Sequence, residues 1–208
     1  MNFPQRKSFS IPALLVLAAL TIGSAFGQAA KVTGDKPTFD DFPSPKFSTG
    51  KDKAFEPKDW LEIEVKLNVL LSPEPRSKTC EKLTIKWYVA VKNPEKPNSI
   101  LLLTKEIEHV NVPLAQDIFC SVYLSPSSIK RLTGSDRQGK NAVEAVGYEV
   151  LYNGVKVAEE TNKLKPGWWS TPSDKISRND SVPLLKKSET PFANMWWDRF
   201  AELATDGP

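Results

Sequence analysis

Residues 58–71, KDWLEIEVKLNVLL, alternate strictly: Leu61, Ile63, Val65, Leu67, Val69 and Leu71 are apolar, and Glu62, Glu64, Lys66 and Asn68 fall between them. A period of two puts one set on one face of an extended chain and the other set on the opposite face. This stretch therefore reads as a half-buried β-strand. Ser72-Pro73-Glu74-Pro75 breaks it. The alternation returns at Leu83, Ile85, Trp87, Val89 and Val91, interleaved with Lys82, Thr84, Lys86 and Tyr88. Asn93-Pro94 and Lys96-Pro97-Asn98 form the turn that follows.

Further along, Ile100 to Val112 reads as a third strand. Its apolar phase changes between Leu101/Leu103 and Val110/Val112, which predicts a bulge within Lys105–Glu108. Ile118, Cys120, Val122 and Leu124 mark a fourth strand. Ser125-Pro126 has the order of an N-cap followed by N1, and Gly134 that of a C-terminal stop, so a short helix is expected between them. The loop 134–141, GSDRQGKN, is polar and expected to be mobile. Ala142–Tyr152 and Val155–Thr161 flank Asn153-Gly154, a strong short-range hairpin signal. A parallel sheet would need helical crossovers, and only one short helix is present. The chain is thus mainly β, and residues 58–164 are expected to form an immunoglobulin-like antiparallel β-sandwich. The cysteine–tryptophan–cysteine spacing of antibody domains is not matched.

The flanks differ in character. Residues 28–57 are rich in Gly, Pro, Asp, Lys and Ser, with Phe39, Phe42, Phe47 and Phe55 scattered among them. They read as an extended arm or linker. Residues 165–208 form a C-terminal extension with apolar islands at Trp168-Trp169 and Val182-Pro183-Leu184-Leu185. Thr190-Pro191 is predicted to open an amphipathic helix whose stripe is Phe192, Trp196, Phe200 and Leu203. A helix of about 13 residues is marginal alone in water, so this stripe needs a surface to dock against.

The N-terminus carries Arg6-Lys7, then the 12-residue apolar run Ile11–Ile22, then Ala25-Phe26-Gly27. That is the order of a secretory signal peptide over residues 1–27, with the cut before Gln28. The run falls short of the roughly 20 residues a bilayer span needs. The expected location is therefore the periplasm, the outer membrane or the cell surface, with no membrane span after cleavage. Arg6 and Lys7 are the only charges removed, which lowers the net charge from +3 to +1. A near-neutral chain argues against nucleic acid as a partner. Homo-oligomerisation is left open.

Candidate chemistry is sparse. His109 is the single histidine and sits in a strand, with no neighbours that suggest a triad. No glycine-rich phosphate loop and no clustered metal ligands occur, so neither a cofactor nor a metal is expected. Cys80 and Cys120 are the only cysteines. In an oxidising compartment an even pair is expected to form one disulfide, closing a loop worth about 4 kcal/mol; two separate buried thiols are the alternative. Trp196 fits the helix stripe and is expected to be buried. Trp197 falls beside it, and one of Trp168 and Trp169 faces outward if that segment is extended. Trp168, Trp169 and Trp197 are accordingly the candidates for a partner or a glycan.

The signal MNFPQRKSFSIPALLVLAAL, the strand KDWLEIEVKLNVLL, the segment FCSVYLSPSSIKRLTG, the hairpin EAVGYEVLYNGVKVAEE and the tail PFANMWWDRFAEL together resemble a verrucomicrobial pilus-like protein family. That family is encoded beside type IV pilus-like components in gut mucin-degrading bacteria. The resemblance spans nearly the whole chain and implies an immunoglobulin-like sandwich. It further implies a structural or adhesive part of an envelope or surface assembly, partnered by pilus-like assembly proteins and in contact with the host. It offers no catalytic residues. The signal is not of the pilin kind, in which the apolar helix stays in the mature chain, so an accessory or atypical subunit is implied. The alternative is a mucin glycan-binding module that uses the tryptophans.

Overall fold

A computed structural model describes residues 28–46 and 54–205. The expected signal peptide, residues 1–27, lies outside the described residues. The strands are β1 (Ala29–Gly34), β2 (Thr38–Pro43), β3 (Asp59–Ser72), β4 (Thr79–Lys92), β5 (Ile100–Pro113) and β6 (Asp117–Leu124). After helix α1 (Pro126–Thr133) come β7 (Val143–Tyr152), β8 (Val155–Thr161), β9 (Ile176–Arg178) and β10 (Leu185–Lys186). They make two sheets. The first has the order β1–β3–β6–β10, with β2 also on β3; the second is β8–β7–β4–β5–β9. Every pairing is antiparallel except β5 with β9.

The alternating residues of β3 and β4 meet as expected. Leu61, Ile63, Val65, Leu67 and Val69 of the first sheet and Leu83, Ile85, Trp87 and Val89 of the second share one core and are all at most 1 % exposed. Ile129 and Leu132 of α1 join that core. The helix is capped as its sequence predicts. The Ser125 hydroxyl accepts from the Ser128 N–H, and Gly134, at φ 79°, donates to Lys130 O. Asn153 and Gly154 both have positive φ, 50° and 76°, as a tight hairpin of this hand requires. The result is the expected immunoglobulin-like β-sandwich.

Four expectations are corrected. Residues 29–34 and 38–43 are strands on the edge of β3, not a free arm. Their main-chain groups pair with β3, and Tyr148 of the second sheet donates to Asp35 O between them at 3.0 Å. The loop after α1 is tied down: Asp41 accepts from the Lys140 N–H at 3.1 Å and Asp40 pairs with the Lys140 ammonium at 2.8 Å. No bulge occurs at Lys105–Glu108. The β4–β5 pairing skips Glu81 and Asn111, and Asn111 has φ 51°, which is where the apolar phase changes. Finally, the C-terminal amphipathic helix does not form, for reasons given below.

Candidate functional site

Residues 165–205 act as a belt around the sandwich. Trp168 and Trp169 lie in a short 3-10 turn and pack on the outer face of the second sheet with Ala90, Leu102 and Ala145. They are 8 % and 5 % exposed, so neither faces outward as an extended segment would require. The turn puts both rings on one face. Trp169 stacks on Tyr88 with centroids 4.6 Å apart, and its indole N–H donates to Glu149 at 3.3 Å. The Trp168 indole N–H donates to the Thr161 hydroxyl at 3.2 Å. Both tryptophans therefore serve packing. The chain then runs as β9 beside β5, buries Val182 and Leu184 in the main core, and pairs as β10 with β6.

From Lys187 onward the belt crosses the outer face of the first sheet. Phe192 is buried between Tyr123, stacked at 5.6 Å, and Trp60, edge-on at 6.0 Å. The Lys187 ammonium is buried here. It donates to three main-chain carbonyls, those of Phe192 at 2.7 Å, Ala193 at 3.3 Å and Met195 at 2.5 Å, and sits 4.7 Å from the Phe200 ring centroid. Those carbonyls are the ones a helix would give to N–H groups four residues on. Trp196 is left-handed, at φ 51°, which ends any helix at that residue. The segment is instead a run of tight turns closed by Ala193 N–H to Thr190 O, Met195 N–H to Phe192 O and Arg199 N–H to Trp196 O.

The four residues expected to dock as one stripe therefore separate. Phe192 is buried, Phe200 and Leu203 are half-buried, and Trp196 is 49 % exposed. The Trp196 ring lies 6.2 Å from Phe42 and 6.4 Å from Phe192, so one side rests on the protein and the rest meets solvent. Trp197 is 68 % exposed. It alone of the three candidate tryptophans presents most of its surface. Arg199 fixes the next turn, with its guanidinium 3.9 Å from the Phe119 centroid and 2.5 Å from the Glu64 carboxylate. Burial pushes the Glu64 pKa up, and the neighbouring Glu62 charge adds to the shift.

The last part of the belt links the two sheets. Ala201 N–H donates to Phe119 O of β6, while Val110 N–H donates to Glu202 O and Ala204 N–H to Glu108 O, both on β5. Beside this seam is a cavity of about 670 Å³ whose walls include His109, Phe119, Cys120, Trp197, Phe200 and Leu203. His109 is 2 % exposed. Burial lowers its pKa to about 4, against smaller opposing effects of the Ala201 and Glu202 backbone, so the ring is neutral. Its Nδ1 lies 3.4 Å from Ala201 O, and Nε2 has no partner among the described residues. Nothing in the sequence around His109 marks it as lining a cavity, because the opposite wall comes from residues some 90 positions later.

Cys80 and Cys120 are both free and buried, which corrects the expected disulfide. They lie on different sheets, Cys80 opposite Val112 and Cys120 opposite Val65. The Cys80 thiol is engaged with Lys82 O at 3.2 Å. Burial raises the pKa of both thiols. Among the described residues no group of three or more His, Cys, Asp or Glu side chains could hold a metal ion. Also among them, no helix is long and apolar enough to cross a membrane.

Comparison with known proteins places the chain. A family model matches residues 23–206, most of its length. A solved structure of a protein from Akkermansia muciniphila is 37 % identical and superposes with a TM-score of 0.82, covering 87 % of this chain and 96 % of that one. No curated protein matches. The matched region includes the belt as well as the sandwich, so the likeness extends to the tail. The chain belongs to the verrucomicrobial pilus-like protein family that its sequence resembles.

Proposed function

We propose that this chain is a non-enzymatic structural or adhesive component of an exported, type IV pilus-like assembly at the cell surface. The observation that carries the reading is the side-by-side exposure of Trp196 and Trp197, 49 % and 68 %, on a tail whose backbone is otherwise fixed to both sheets. Tryptophans dominate the binding energy of many protein interfaces, and a surface already ordered loses little entropy when a partner arrives. Phe42 extends the same apolar surface beside Trp196. Family membership supports the assembly context, and the burial of the single histidine supports a non-enzymatic role.

The test is co-purification from native envelopes. Wild-type protein is expected to bring down secretin or alignment-type pilus components, and a Trp196→Ala/Trp197→Ala variant that melts normally is expected to lose them. Equal recovery by both proteins would refute the docking role. The glycan-binding reading now rests on Trp197, since Trp168 and Trp169 are buried. It requires salt-tolerant binding to mucin glycans that Trp197→Ala abolishes.

A further inference from the structure

Strand β5 has β4 along one side and only the short β9 on the other. Asn179 N–H donates to Leu102 O, Ala204 N–H to Glu108 O, and Val110 N–H to Glu202 O. These bonds fix the phase of the strand: its even-numbered residues turn their main-chain groups away from β4. The β4–β5 register is unbroken from Ile100 to Val110, so the phase holds throughout. Thr104 and Glu106 therefore direct their N–H and C=O outward. β9 pairs only with residues 100–102, and the tail's bonds to this edge begin at Glu108. Among the described residues nothing pairs with the main chain of Thr104 or Glu106 on that side. Glu106 is exposed and Thr104 half-buried. A groove of about 390 Å³ runs along residues 105–108, walled by Glu189 and residues 203–205.

We infer that this gap takes an extended, uncharged segment of a partner polypeptide, which bonds to the main chain of Thr104 and Glu106 and completes the outer side of β5. The class of occupant follows from the open groups. Donors and acceptors repeating at strand spacing match a peptide main chain. The edge already takes strands in both directions, β9 parallel and the residues around Leu203 antiparallel. The gap over residues 103–107 is about 17 Å long, room for a segment of similar length. Neither a proline nor a bulge guards it. Charge complementarity selects an uncharged segment. Lys105 pairs with Glu189 at 3.3 Å, Glu106 with Lys86 at 3.1 Å, and Glu108 with Lys82, so a charged segment would have to break a pair to gain one. The site uses main-chain groups of β5 and does not rest on the docking face proposed above.

The probes are the end-blocked peptide Thr-Val-Thr-Val-Thr and its analogue N-methylated at every residue, which keeps the side chains and loses the donors. Each is titrated into the purified protein and followed by amide NMR and hydrogen exchange. In the free protein the Thr104 and Glu106 amides are expected to exchange fast. The peptide is expected to shift those two amides, to slow their exchange, and to bind at least about tenfold tighter than its analogue. Thr104→Pro removes an edge donor that the β4 ladder does not use and is expected to abolish binding. Trp196→Ala/Trp197→Ala is expected to leave it unchanged. Slow exchange of both amides in the free protein would overturn the inference: the positions would be paired already, and by a second copy if the protection rises with protein concentration. No binding at millimolar concentration, equal binding of the analogue, or shifts confined to other residues would overturn it as well. The peptide comparison uses the wild-type protein, so the result stands even if Thr104→Pro fails to fold.

Discussion

The ammonium of Lys187 lies 2.7 Å from the carbonyl oxygen of Phe192, inside the turn that Phe192 itself anchors to the sheet. One side chain thus gathers the carbonyls of Phe192, Ala193 and Met195, the first of which also accepts from the Met195 N–H. Desolvation lowers the lysine's pKa and the Glu62 charge opposes that shift, while the three carbonyls and the Phe200 ring face the ammonium directly.

Removing that charge should release the tail. In Lys187→Met the stem is kept, the Ala193 and Met195 carbonyls lose the ammonium and Phe192 O keeps only the Met195 N–H, at a cost of about 1–3 kcal/mol for buried groups left unsatisfied. The expected outcome is a lower melting temperature and faster proteolysis confined to residues 187–205. Unchanged proteolysis there would show that Phe192 alone holds the segment.

On the opposite face the controlling residue is Gly147. A Cβ built there would lie 2.2 Å from Cζ3 of Trp169, closer than any packing allows. Gly147→Ala should displace Trp169 from its stack on Tyr88 and destabilise the fold by about 1–3 kcal/mol, as overpacking does. Near-ultraviolet circular dichroism and a thermal melt measure both effects. A native aromatic spectrum with unchanged stability would mean the ring moves at no cost.

These two sites show where sequence reading stops. Strands β3 and β4 were legible because one face of each meets the core and alternation records that directly, and β7 and β8 because Asn153-Gly154 marks the tight hairpin between them. Strands β1 and β2 were not. Each is six residues long, with Val32 the only buried residue between them, so only the free edge of β3 makes them strands. The tail was misread for a different reason. Phe192, Trp196 and Phe200 do have helical spacing, but the competitor that captures the carbonyls is Lys187, which no periodicity marks. The burial of both Trp168 and Trp169 depends on small residues elsewhere in the chain, Ala90, Ala145 and Gly147, which leave room for two indoles on one sheet face. The His109 cavity was invisible because its walls join β5, β6 and the tail only in three dimensions.

Acid should weaken the fold through His109. Its folded pKa is about 4, below the ordinary 6.5, because burial disfavours the charged ring. As pH falls the unfolded chain takes up the proton first. The contribution is therefore fully present above about pH 6.5 and is lost as pH drops toward 4, by on the order of 3 kcal/mol. Glu64 and Asp41, whose carboxyls burial raises, work in the opposite direction at the acid end. The histidine's share is thus read as the difference from His109→Phe, whose stability should be flatter between pH 7 and 5. The NMR signal of this single histidine should also keep its neutral position down to about pH 5. A midpoint near 6.5 would show that the ring is open to solvent.

Both cysteines should behave as protected thiols. Cys80 and Cys120 are each at most 1 % exposed and unbonded, and burial raises both pKa values, so neither supplies much thiolate at neutral pH. Thiolate, not thiol, is the reactive form, and a reagent must also reach it. Native protein should therefore take up almost no maleimide over the time in which denatured, non-reduced protein takes up two per chain. Cys120 should react last as denaturant is raised, because it lies mid-strand in β6 between β3 and the tail, whereas Cys80 is one residue from the start of β4. Cys80→Ser would then leave one thiol and should cost about 1–3 kcal/mol for a buried hydroxyl with imperfect partners, with no further change on adding reductant. Stability that drops with reductant in the unmodified protein, or fewer than two labelled thiols after denaturation, would show that the sulfurs are bonded in solution.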